Sequence, residues 1–167
     1  EQYEKGVYAS VGLHPIHLDT GLVKIKNDIE ETLIKTREES FNYQKYKELA
    51  LSKKVAAIGE IGFDYWYKPK TKKKQEEFKN RQKEVFIKQL DLAKELNLPV
   101  IFHCRMAHDD LLETLNFQVS NFKLRGVIHC FTGNWQQAER YLEMGLYLGF
   151  NGIIFKLDLD EIIKKTP

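Results

Sequence analysis

The chain has 167 residues, 43% of them hydrophobic and 30% charged, enough for one sizeable core and read as a single globular domain over 1–167. A formal net charge of +2 excludes nucleic-acid binding through overall electrostatics, so any polyanion contact must be local. Two cysteines without a CxxC pair exclude zinc-finger spacing, and the absence of a signal-peptide pattern or a bilayer-length apolar run leads us to expect a reduced, soluble, cytoplasmic protein.

The first strand expected is VYASVGL (7–13), which ends at His14-Pro15, where proline forces the preceding residue into extended geometry. Residues 22–51 carry apolar positions at mixed helical spacing (Leu22, Ile25, Ile29, Leu33, then Tyr43, Tyr46, Leu49, Ala50), which predicts one helix or two short ones. Residues 55–61 are a nearly continuous apolar run, as for a strand buried on both faces of a parallel sheet.

The clearest helix follows, with Phe78, Val85, Phe86, Gln89, Leu90, Ala93 and Leu96 at helical spacing and Asn97 and Pro99 as the stop. LPVIFH, DDLLETLNF, GVIHCF, WQQAERYLEMG and LYLGFNGII then alternate strand and helix, making four βα units and a fifth strand. The expected fold is α/β, of (β/α)8 TIM-barrel type but incomplete. A full barrel takes roughly 250 residues, and a chain that starts EQYEKG and stops at KKTP reads as an interior fragment.

Polar groups stand at the ends of three successive strands: Glu60 in VAAIGEIGFDY, His103 in LPVIFHCR and His129 in GVIHCFTG. Parallel strands bring their carboxyl ends to one rim, and two imidazoles with a carboxylate there suit zinc, manganese or iron, with magnesium admitted if a further carboxylate and water join. Side chains alternate along a strand, so His103 and Arg105 share one face and Cys104 takes the other, as do His129 and Cys130. Both cysteines are therefore expected to be buried free thiols rather than ligands.

GLHP, AIGEIGFDY, the run ending in LPVIFHCR, GVIHCFTG and GLYLGFNGI resemble, in order and spacing, the TatD family of metal-dependent deoxyribonucleases within the amidohydrolase-like TIM barrels. The resemblance covers nearly the whole chain. It implies one or two divalent ions (magnesium, manganese or zinc) at the carboxyl ends of the strands and hydrolysis of phosphodiester bonds in DNA, expected to be single-stranded and cut from 3' to 5'. Carried over by motif, Glu60, His103 and His129 are the metal-binding and catalytic residues, with Glu60 bridging two ions.

The resemblance also implies a His-x-His pair on a first strand and an aspartate on a late strand, neither of which is among these residues. The chain alone is accordingly expected to be inactive. His14 in GLHP is expected at a second strand end as a second-shell or substrate-contacting group. Arg105 can grip a phosphate bidentately or cap the rim structurally.

Asp64 can line the rim or cap the next turn, and we group it with His14 and Arg105 as a substrate-binding candidate. The aromatics Phe63, Tyr65, Trp66 and Tyr67 can stack on unpaired bases or fill core beneath a loop. KPKTKKK (68–74) reads as the solvated start of a helix or a rim contact for a polyanion. Two competing functions stay open: another amidohydrolase-like enzyme acting on amide or ester bonds, or an inactive fragment serving as a binding module.

Overall fold

The computed structural model describes residues 5–18, 22–26, 31–35, 39–66, 69–118 and 123–167, with backbone only for 22–26 and 31–35. Five parallel strands form one sheet: β1 (Ala9–Val11), then, after two further strands, β4 (Val55–Asp64), β5 (Val100–Arg105), β6 (Gly126–His129) and β7 (Tyr147–Leu148). They lie in the order β1-β4-β5-β6-β7, so each chain segment adds its strand beside the last. Helices α2 (Lys72–Glu95), α3 (His108–Gln118) and α4 (Trp135–Glu143) make the crossovers, and α5 (Asp160–Lys165) follows β7. This is the βα alternation of an open barrel, with β1 and β7 at the two ends of the sheet.

The helical reading of 22–51 is corrected in its first half. Leu22–Lys26 (β2) and Glu31–Lys35 (β3) pair antiparallel as a separate two-stranded sheet, and Ile29 lies outside the described residues. The β-branched content of LVKIK and ETLIK matches this outcome. The second half is helical: α1 (Tyr43–Ala50) starts at Asn42, whose side chain accepts from the backbone of Lys45, and buries Tyr46 and Ala50.

Helix α2 is capped by Thr71, whose hydroxyl accepts from Lys74 N–H, so Lys72, Lys73 and Lys74 are its exposed first turn and Lys70 lies just before the cap. Asn97 ends it with a φ of 51°, the left-handed conformation that terminates helices. The fifth strand is shorter than expected, because only Tyr147–Leu148 pair and Gly152–Phe155 wind into a 3-10 turn.

Burial in β5 alternates strictly: Val100, Phe102 and Cys104 are buried while Ile101, His103 and Arg105 are half-buried. The buried set faces the helices, where Phe63, Phe86, Leu90, Phe102, Leu111, Leu115, Ile128 and Tyr141 are all at most 1% exposed. The other set faces the mouth of the open barrel. Cys104 therefore lies in the core as expected, but Cys130 is only half-buried, because it falls one residue past β6 in a turn with φ 49° rather than on the strand's outer face.

Candidate metal centre

Register alone brings the expected residues together. His103 on β5 pairs directly with His129 on β6, and Gly62 on β4 pairs with His103. A register shift between Gly59 and Ile61 leaves Glu60 as the extra residue of β4, a bulge that re-aims its carboxylate along the rim. Gly62 has a φ of 147°, and a Cβ there would overlap the carbonyl oxygen of His103, so only glycine lets these strand ends approach so closely.

Glu60 is the hub. Its Oε2 lies 3.6 Å from Nε2 of His14 and 3.5 Å from Nδ1 of His103, and its Oε1 lies 3.6 Å from Nε2 of His129. Two ligands of one zinc-like ion, each about 2.1 Å from it in tetrahedral array, stand about 3.4 Å apart, so these separations fit shared coordination. Ligand atoms of His14, Glu60 and His103 all fall within 4.8 Å of one another, and His129 reaches the same carboxylate from the next strand. The residues present fit a divalent ion.

Hydrogen bonding separates the imidazoles by role. His103 places Nε2 3.1 Å from Oδ2 of Asp64, and a carboxylate only accepts, so that nitrogen carries a proton; Nδ1, on the Glu60 side, donates to Glu60 when the ring is protonated and is the nitrogen left free to ligate an ion when the ring is neutral. A carboxylate behind a histidine is the usual second partner of a metal-ligating imidazole. His14 is the reverse: its Nδ1 accepts from Ile16 N–H at 3.1 Å, so the neutral ring carries its proton on Nε2, facing Glu60 as a donor.

The electrostatics agree. Burial and the adjacent His103 lower His14 to about 4, so it is neutral near pH 7. Burial also opposes charge on His103, yet the hydrogen-bonding carboxylates of Asp64 and Glu60 outweigh it and raise its pKa. Glu60 is held below the usual carboxylate range, first by His103 and further by His129 and His14. Asp64 resists burial through bonds to His103 and the Trp66 amide and is also lowered.

Asp64 is only 4% exposed: its carboxylate meets His103 and caps the next turn, accepting the backbone N–H of Trp66 at 2.9 Å. Arg105 stands at the rim with its guanidinium 4.2 Å from the ring centre of Trp66. Of the aromatic group, Phe63 and Tyr65 are core, Trp66 is 53% exposed, and Tyr67 lies outside the described residues, as does Lys68.

Two buried glutamines of α2 were not assigned site roles by the sequence reading. Gln89 accepts from Leu13 N–H and donates to its carbonyl, fixing the backbone one residue before His14. Gln82 does the same for the backbone of Asp64. Their signal was present as two amides a heptad apart on the apolar stripe of α2, where a polar side chain survives only if fully hydrogen-bonded.

The family model described as TatD related DNase matches residues 1–167. The metal-dependent hydrolase YabD of Bacillus subtilis is 36% identical over 171 residues, covering 100% of this chain and 56% of its own length. A protein of Yersinia pseudotuberculosis named 3'-5' ssDNA/RNA exonuclease TatD is 31% identical over 170 residues, covering 99% of this chain and 56% of its own. Among solved structures, YJJV, a TatD homologue of Escherichia coli, superposes with a TM-score of 0.70 at 31% identity, covering 96% of this chain and 54% of that one. The chain spans about half the length of the curated relatives it matches.

Proposed function

Because this chain belongs to the TatD related DNase family, we propose that it supplies part of the active site of a metal-dependent phosphodiesterase that removes nucleotides from the 3' end of single-stranded DNA or RNA. The observation that carries this is the convergence of three imidazoles on the Glu60 carboxylate, each at 3.5 to 3.6 Å. Glu60, His103 and His129 hold one or two divalent ions, magnesium, manganese or zinc. When bound, such ions supply Lewis acidity toward a phosphoryl oxygen and a source of hydroxide near neutral pH.

The chain's own residues divide the remaining work. Asp64 keeps the proton of His103 on Nε2 and so presents Nδ1 as a ligand. His14, neutral and protonated on Nε2, donates to a phosphoryl oxygen on which charge accumulates. Arg105, on the same face as His103, grips a neighbouring phosphate. Two free cysteines and the lack of any membrane-length apolar helix among the described residues fit a cytoplasmic enzyme.

The test is stepwise hydrolysis of a 5'-labelled single-stranded oligonucleotide with magnesium, manganese and zinc, by the full-length protein that carries this chain, wild-type and Glu60→Gln. Shortening from the 3' end that the substitution abolishes is the expected result. Cleavage of amides or carboxylic esters without action on DNA would replace this reading with another amidohydrolase chemistry. Oligonucleotide binding without metal uptake or cleavage would make the chain a binding module.

A further inference from the structure

Trp66 is a large apolar side chain left in water where the fold had a neighbouring way to hide one. Tyr65, one residue earlier, is 7% exposed and stacks on Phe63 at 6.0 Å, while Trp66 is 53% exposed. Its position is nevertheless held from two sides. Its backbone N–H donates to Oδ1 of Asp64 at 2.9 Å, and its ring lies 4.2 Å from the guanidinium carbon of Arg105. Asp64 and Arg105 are themselves register partners on β4 and β5.

The same Asp64 carboxylate that fixes the Trp66 turn meets Nε2 of His103 with its other oxygen. One buried group thus ties the backbone turn that carries Trp66 to the candidate metal ligand. A planar cation stacked against an indole whose remaining surface is open to water is half of a sandwich. What fits the other half is a flat, electron-rich ring carried on a phosphate chain, since Arg105 beneath attracts anions.

We propose that Trp66 is the stacking platform for an unpaired nucleobase adjoining the phosphate at the metal centre. The inference rests on the phosphodiesterase reading above and names a residue through which that site recognises its substrate class. A base inside a duplex has both faces covered by its neighbours, whereas an unstacked base offers a free face irrespective of its identity.

Two octamer probes with phosphorothioate linkages, which resist cleavage, isolate the base from the backbone: octathymidylate, and an octamer of abasic sugars with the same charge. In magnesium, the wild-type chain is expected to bind octathymidylate about tenfold more tightly than the abasic octamer, the scale of one base–aromatic stack. Trp66→Ala should bind both octamers equally, at the wild-type affinity for the abasic one, and Trp66→Phe should restore most of the preference.

Quenching of Trp66 emission by octathymidylate in a Trp135→Phe background gives the same answer without altering Trp66. A preference that survives in Trp66→Ala, an equal loss on both probes, or unquenched emission on octathymidylate binding would overturn the proposal while leaving the nuclease reading intact. A full-length wild-type protein that binds neither octamer and cleaves no single strand would overturn both.

Discussion

Nε2 of His103 sits 3.1 Å from Oδ2 of Asp64, a carboxylate 4% exposed at the end of the adjoining strand, and this one contact decides which imidazole nitrogen faces Glu60. Asp64→Ala should therefore weaken manganese or zinc binding about 10- to 100-fold while Glu60, His103 and His129 remain. Calorimetric titration checks it. Protons compete for Nδ1 on a histidine whose pKa the carboxylates raise, so wild-type metal affinity should also fall as the solution is acidified below neutral.

His14 and His103 should respond differently to removal although both lie against Glu60. His103→Ala deletes a lone pair and should lower metal affinity and hydrolysis together. His14→Ala deletes an N–H donor and should leave metal affinity within about threefold of wild type while kcat of the full-length protein falls on the order of 100-fold, as when one transition-state donor is lost. Equal losses of metal from both variants would make His14 a ligand.

Gln89 holds both backbone polar groups of Leu13 inside the protein. Gln89→Ala leaves a buried N–H and C=O unpaired, at about 1–3 kcal/mol each. A fall of several degrees in the thermal midpoint is expected, together with a lower kcat, because the segment that carries His14 loses its anchor. Gln89→Leu, which fills the space without the bonds, should not restore either.

His108 is 6% exposed, between Phe131 and Tyr141, and burial lowers its pKa from 6.5 to about 4. In the unfolded chain it takes up a proton below pH about 6.5, whereas the folded protein resists until about 4. The unfolded state therefore binds more protons across that window, and stability is lost as pH falls through it, by up to about 3 kcal/mol. Denaturant titrations from pH 4 to 7 should show this slope in wild type and a shallower one in His108→Phe.

Cys104 and Cys130 should react at separate rates with a thiol reagent. Cys104 is 4% exposed and its thiol is pushed up to about 12 by burial, so it should wait for unfolding. Cys130 is half-buried at a turn and should react in the native protein. One fast thiol and one protected thiol is the expected count.

The period of the chain was enough to place β1, β4 to β6 and their crossover helices, because parallel strands buried on both faces and helices with one apolar stripe leave different and unambiguous spacings. Strand parity also separated His103 from Cys104, since alternation is a property of the backbone itself. The same reasoning failed at 22–35, where short β-branched segments with an apolar residue every third or fourth position satisfy both periods and only strand pairing chooses between them.

Parity failed again at Cys130, because β6 ends at His129 and a residue in the left-handed region no longer obeys alternation. The convergence of Glu60, His103 and His129 was legible from motif order. The tasks of their neighbours were not: that Asp64 turns inward to His103, that His14 presents a proton, and that Trp66 stays in water while Phe63 and Tyr65 are buried depend on distances between strands. A sequence specifies which groups reach the rim, but hydrogen-bond direction and exposure exist only once the strands are packed side by side.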